Sequence, residues 1–189
     1  MLRFAWKQDE GSALVEFAVA LPLLVVFIVG IYDFSGAFNQ KQKIEHAAQE
    51  GAVNAAAQPM TDIDPANSNY ANPQSLQPVL TVIFNSLTNS GVLLLANQGG
   101  CKAATATPSP PSGLQWTYTI SGCPDDLTIT INRGRVLTTG GPTSLIGTAV
   151  TVSYPYHWKF NSVIQFLVPG ATYAATTDLS ETSTVHNQM

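Results

Sequence analysis

The chain has 189 residues, a formal net charge of −4 and only 11% charged residues. That charged share is less than half the usual one, with Ser, Thr, Asn and Gln supplying the polarity. The charge leaves no basic face for nucleic acid, and the length allows one modest domain beside an apolar helix.

Residues 1–11 read as a polar leader with no amphipathic pattern. The next stretch, G-S-A-L-V-E-F-A-V-A-L-P-L-L-V-V-F-I-V-G-I-Y from Gly11 to Tyr32, organises the rest. Phe17 to Tyr32 carries no charge and makes about 24 Å of helix, short of a hydrocarbon core of about 30 Å. Counted from Ser12 the helix reaches about 31 Å and spans, which places Glu16 inside the apolar zone. An acid there costs roughly 2.5 to 3.5 kcal/mol on insertion scales, so it is a functional candidate that needs a partner. Cutting the chain between Gly11 and Ser12 supplies one: the new amino terminus lies one helical turn before Glu16. Pro22 removes a ladder bond and is expected to kink or loosen this membrane helix. An ordinary cleaved secretory signal is disfavoured, because the run is long, contains Pro22, and has A-x-A sites only far downstream near Ala47 to Ala57.

The helix is predicted to continue unbroken over 12–58, about 70 Å, with 12–32 in the membrane. Phe34, Ala37, Phe38, Lys41, Ile44, Ala48, Gly51, Ala52 and Ala55 recur at three- and four-residue steps. The outer half thus has an Ala and Gly face suited to close backbone approach. Lys41, Lys43, Glu45 and Glu50 read as a solvated face, and His46 as a surface residue without a second ligand. Residues 59–189 form the remaining domain. Met60 to Pro78 reads as a loop; Asp62 and Asp64 are spaced like the start of a calcium loop, but its glycine and closing Glu are missing. A short helix is predicted from Pro78 to Thr88, and Val92 to Ala96 fits either a helical turn or a buried strand.

Gln98 to Gly113 is loop-like in composition. Beyond it the period becomes two. Trp116, Tyr118 and Ile120 alternate with polar residues, as do Leu127, Ile129 and Ile131, and a turn at Ser121 to Asp126 joins them into a hairpin. Gly147 to Tyr156 is a third strand, while Arg133-Gly134-Arg135 and Gly140-Gly141-Pro142 read as connections. His157 to Gly170 is either a short helix or an exposed apolar loop that seeks a partner. Thr172 to Thr184 reads as an edge strand, and His186 to Met189 as a frayed end. The fold class is α+β, with a long N-terminal helix packed on a small antiparallel sheet.

The sequence carries no catalytic or phosphate-binding motif, and His46, His157 and His186 stand apart without ligand spacing. No enzyme activity, metal, cofactor or small-molecule substrate is expected.

The G-S-A-L-V-E-F register, the L-P-L-L after it, the Gly30-Ile31-Tyr32-Asp33-Phe34 exit and the small-residue helix Ala47 to Ala52 resemble the class III signal of type IV pilins and pseudopilins. In particular they resemble the TadE-like minor pseudopilins of tight-adherence (Flp, type IVb) pili. Val150 to Tyr156, V-T-V-S-Y-P-Y, is a weaker echo. Asp9 and Glu10 precede Gly11, where such leaders usually end in basic or neutral residues. The resemblance covers about the first 58 residues and implies leader cleavage between Gly11 and Ser12. It also implies a role for Glu16 and Phe17 in assembly by pairing with the N-terminal amine. Implied partners are the membrane, the major Flp-type pilin, other minor pseudopilins, the prepilin peptidase and the inner-membrane assembly platform. Arg3 and Lys7 are balanced by Lys41 and Lys43, so orientation comes from the resemblance: cytoplasmic leader, extracytoplasmic domain. In an exported domain Cys101 and Cys123 are expected to pair. The alternatives are a pseudopilin of a type II secretion-like system and a binding module on a plain signal anchor.

Overall fold

The computed structural model describes residues 8–138, 144–160, 165, 170 and 175–187. Its elements are helix α1 (Gln8–Ala57), helix α2 (Gln77–Asn89) and strands β1 (Thr107–Pro108), β2 (Gln115–Ile120), β3 (Leu127–Thr138), β4 (Ser144–His157) and β5 (Thr176–His186). The strands lie side by side in chain order in one five-stranded sheet. The α+β class read from the sequence is the architecture found. The chain divides into two compact units, 1–37 with 157–175 and 38–156 with 176–189, and α1 contributes residues to both.

In the larger unit the small residues of α1 form the buried face. Ile44, Ala47, Ala48, Ala52 and Ala55 are fully buried in one core with Leu80, Ile83 and Leu87 of α2 and the inner face of the sheet. Gly51 shows how close the approach is. A Cβ added there would sit 2.5 Å from Ile83 Cγ1 and 3.4 Å from Val150 Cγ1, so both α2 and β4 press on that point. Phe34 and Phe38, counted in the periodic stripe, are instead exposed.

The hairpin is in the register its alternation requires: Trp116 opposite Ile131, Tyr118 opposite Ile129 and Ile120 opposite Leu127. All six side chains face the core. Loop residues seal its rim. The Trp116 Nε1–H donates to the Tyr70 carbonyl at 2.8 Å, the two rings meet edge to face, and the Tyr70 hydroxyl donates to the Gly113 carbonyl. Burial, with the Asp62 charge adding to it, pushes the Tyr118 phenol well above its ordinary range.

Arg133-Gly134-Arg135 is not a connection. It lies inside β3, where the register with β4 slips by one residue between Asn132 and Arg135. Arg133 lies on the inward side at this bulge, continuing the alternation of Leu127, Ile129 and Ile131. Its buried guanidinium donates to the Gln58 carbonyl at 2.7 Å and to the Pro59 carbonyl at 2.9 Å. These carbonyls follow directly on the last turn of α1, which carries no basic residue of its own. A cation from the sheet therefore caps the negative end of the helix. Burial lowers the Arg133 pKa from its ordinary value, and the Asp62 charge opposes that. Asp62 itself accepts from the Ser75 N–H at 2.8 Å and hydroxyl at 2.7 Å, fixing the short 3-10 turn that leads into α2.

Val92 to Ala96 is neither helix nor strand but a series of turns, with Val92 and Leu93 buried and Leu94 exposed. The C-terminal end is tied down rather than frayed at Asn187, whose side chain accepts from Thr148 Oγ1 at 2.6 Å and donates to the Arg133 carbonyl. Thr151 and Thr182 bond across β4 and β5 at 2.7 Å, and Lys41 of α1 pairs with Glu181 of β5 at 3.0 Å, so Lys41 is not merely solvated. Gly140-Gly141-Pro142 and most of His157 to Gly170 lie outside the described residues.

Arg133→Met keeps an apolar stem but leaves two carbonyls without their charged donor. We expect the detergent-solubilised protein to lose about 2 to 3 kcal/mol of unfolding free energy, seen as a lower Tm. An unchanged Tm means that water satisfies those carbonyls as well as the guanidinium does.

Candidate functional site

From Ser12 α1 is long and apolar enough to cross a membrane, and its apolar run is not buried against the rest of the chain. Leu14, Phe17, Val19, Leu23, Phe27 and Ile28 all stand exposed. An apolar surface of this extent has to be covered by lipid or by another molecule.

Within it, the Ser12 hydroxyl donates to Glu16 Oε1 at 3.2 Å. Residues 12 and 16 therefore share one face, as the four-residue step demands. Val15, Val19, Ala20 and Leu23 line a shallow apolar groove beside Glu16. Gly11 is helical in the backbone, so the Gly11–Ser12 bond lies inside the first turns of α1. Phe17 is exposed next to Glu16, and the helix is continuous through Pro22. Proline has no N–H to offer the carbonyl one turn earlier, so the ladder is one bond short there.

The same unit contains a second cluster, at the C-terminal end of the apolar run. Asp33 is 1% exposed, and its carboxylate accepts from the Phe160 N–H at 2.7 Å. Trp158 meets Phe34 edge to face with ring centroids 5.2 Å apart, and Lys159 Nζ lies 5.8 Å from the centre of the Tyr32 ring. The Trp158 N–H donates to the Ala175 carbonyl, closing the base of this excursion between β4 and β5. Sequence reading placed Asp33 only in the exit motif. The signal available was an acid just past an apolar run, together with W-K-F at 158–160.

In the larger unit Cys101 and Cys123 are paired, both fully buried, with Cα atoms 4.7 Å apart. The Tyr154 hydroxyl donates to the Cys123 carbonyl, so β4 meets the same turn. Burial and the Asp125 charge raise the Tyr154 phenol pKa. An open groove between α1 and α2 is lined by His46, Glu50, Asn54, Asn85 and Ser86. His46 Nδ1 lies 3.7 Å from Glu50 Oε1 there, both well exposed, which is an ordinary surface pair. Among the described residues no three His, Cys, Asp or Glu side chains gather as metal ligands.

Residues 11–53, which are α1 from Gly11 almost to its end, match the family model of the TadE-like protein. The match lies within the long helix, less than a quarter of the chain, and that same helix is a candidate membrane anchor. No curated protein and no solved structure matches the chain.

We infer that the cysteine pair forms a disulfide in the folded protein. It closes a loop of 22 residues' separation, worth about 3 kcal/mol in the chain-entropy model. Thiol labelling of denatured, unreduced protein from the membrane fraction should find no free cysteine; two labelled thiols would refute the pairing.

Proposed function

We propose that this protein is a minor pseudopilin that helps to start or assemble a tight-adherence pilus. A prepilin peptidase hydrolyses the Gly11–Ser12 bond, leaving a carboxylate on Gly11 and a free amine on Ser12. The mature chain is then held in the inner membrane by residues 12–32, with the rest extracytoplasmic. The observation that carries this reading is the Ser12–Glu16 contact inside a stretch that matches the TadE-like family. The new amine arises on the residue whose side chain already reaches the carboxylate. It can neutralise its own Glu16, or the Glu16 of a neighbouring subunit and so fix the stagger between them. Phe17 and the apolar groove beside Glu16 offer the neighbouring helix a surface to pack on. The major Flp-type pilin, a second minor pseudopilin and the inner-membrane platform are the partners, and the role is structural.

Processing is checked by the mature mass. Co-expressed with the matching peptidase, the protein should begin at Ser12. A terminus still at Met1 in that strain would sink the reading.

Glu16→Ala and Glu16→Gln separate assembly from insertion. Removing the charge should ease insertion by roughly 2 to 3 kcal/mol, while the amine loses its partner. The expected outcome is a processed, membrane-bound protein that fails to support surface pili, counted by microscopy. Normal piliation in both strains would reduce Glu16 to an interfacial residue.

A further inference from the structure

The cluster around Asp33 lies where the helix must leave the membrane. A hydrocarbon core of about 30 Å takes about 20 residues of helix, which counted from Ser12 ends close to Ile31. Tyr32, Asp33 and Phe34 therefore fall at the depth of the outer lipid headgroups. Tyr32 and Phe34 are each 69% exposed. The excursion from β4 brings Trp158, Lys159 and Phe160 to the same level, through the Asp33–Phe160 hydrogen bond and the Phe34–Trp158 ring contact. The Phe160 ring edge lies 3.8 Å from where a Gly30 Cβ would be, so Phe160 seats on the one bare position of that turn.

The chemistry of the residues selects the occupant. Helix-to-helix contacts in a membrane favour small side chains that let backbones close in. Ile31, Tyr32, Phe34 and Trp158 are bulky, whereas Trp and Tyr with a flanking Lys are what the membrane–water boundary favours. Lys159 is exposed, a cation held over an aromatic ring at that boundary. Asp33 would oppose an anionic headgroup if it were open to it, but its carboxylate is buried against a backbone N–H. The exposed charge of the cluster is therefore positive.

We propose that Tyr32, Phe34, Trp158 and Lys159 form an interfacial phospholipid site, with Asp33 as the residue that positions Trp158 and Lys159 on the helix. The aromatic rings lie among the glycerol esters, and Lys159 bonds the phosphate of an anionic headgroup. This rests on the membrane-anchor reading and adds to it a second, non-helical contact with the bilayer.

The test uses the full chain reconstituted in phosphatidylcholine vesicles with and without phosphatidylglycerol. Nitroxide-labelled lipids quench Trp emission at headgroup, glycerol or deep chain level, and the difference between wild type and Trp158→Phe isolates Trp158. The expected result is loss of Trp158 emission with the two shallow labels and not with the deep one. Lys159→Glu should remove any gain in shallow quenching that phosphatidylglycerol gives. Asp33→Leu should move Trp158 from the shallow lipid labels to aqueous acrylamide. A photoactivatable phospholipid on the unaltered chain is the second measurement, with crosslinks expected at 31–34 or 158–160. Quenching by acrylamide alone, or lipid crosslinks confined to residues outside 31–34 and 158–160, would overturn the proposal. Resistance of the protein to alkaline extraction reports the anchor separately: lost extraction resistance sinks the anchor, whereas retained resistance without lipid contact at Trp158 sinks only this site.

Discussion

The close approach at Gly51 sets the terms for the larger unit. A helix presenting Leu would stand off from its neighbours by the length of that side chain. Here Ala and Gly let α2 and the sheet press on the α1 backbone from two sides, and the vacancy at Gly51 is filled by Ile83 and Val150. Alanine burial contributes little apolar area per residue. The bulk of the core is therefore supplied by the partners: Trp116, Tyr118, Ile120, Leu127, Ile129 and Ile131 from the hairpin, and Leu80, Ile83 and Leu87 from α2. The helix acts as a template and the sheet supplies the volume.

A template of this kind needs a defined end, and the last turn of α1 carries no basic residue of its own. The end is set by Arg133, which follows Ile131 on the inward face of β3 beside the bulge. The same strand position ties Asn187 at the chain's other extremity through the Arg133 carbonyl. One residue thus links the helix terminus, the middle of the sheet and the last described residue. Its charge is kept inside by hydrogen bonds, with the Asp62 carboxylate nearby to offset part of the desolvation.

Much of this was legible in the sequence because it obeys simple periods. The apolar run with Glu16, the small-residue face and the two alternating strands were each visible as spacing, and each lies where the spacing puts it. The exceptions have physical reasons. Arg133 had the parity of an inward residue, two steps after Ile131, but Arg-Gly-Arg reads as a turn unless a buried acceptor is known to await the charge. Asp33 looked like part of an exit motif, since its partner is a backbone N–H 127 residues away. Asn187 carries no sign of its anchoring in the sequence, since proximity to a terminus says nothing about distant acceptors. Long-range polar contacts leave no period, and these are what sequence patterns miss.

The two borders of the sheet decide how such a molecule can meet its own kind. At one border β1 is two residues long and ends in Pro108, which has no N–H to donate. At the other, β5 reads T-T-D-L-S-E-T-S-T-V-H, with Asp178 and Glu181 among hydroxyl residues and hardly any apolar side chain. Short length, proline and charge are the means by which natural sheets discourage a foreign strand from docking. Growth by adding strand to strand, the route that leads to fibrils, is closed on both sides. The exposed apolar length of α1 is then the surface left for association, with lipid or with another molecule.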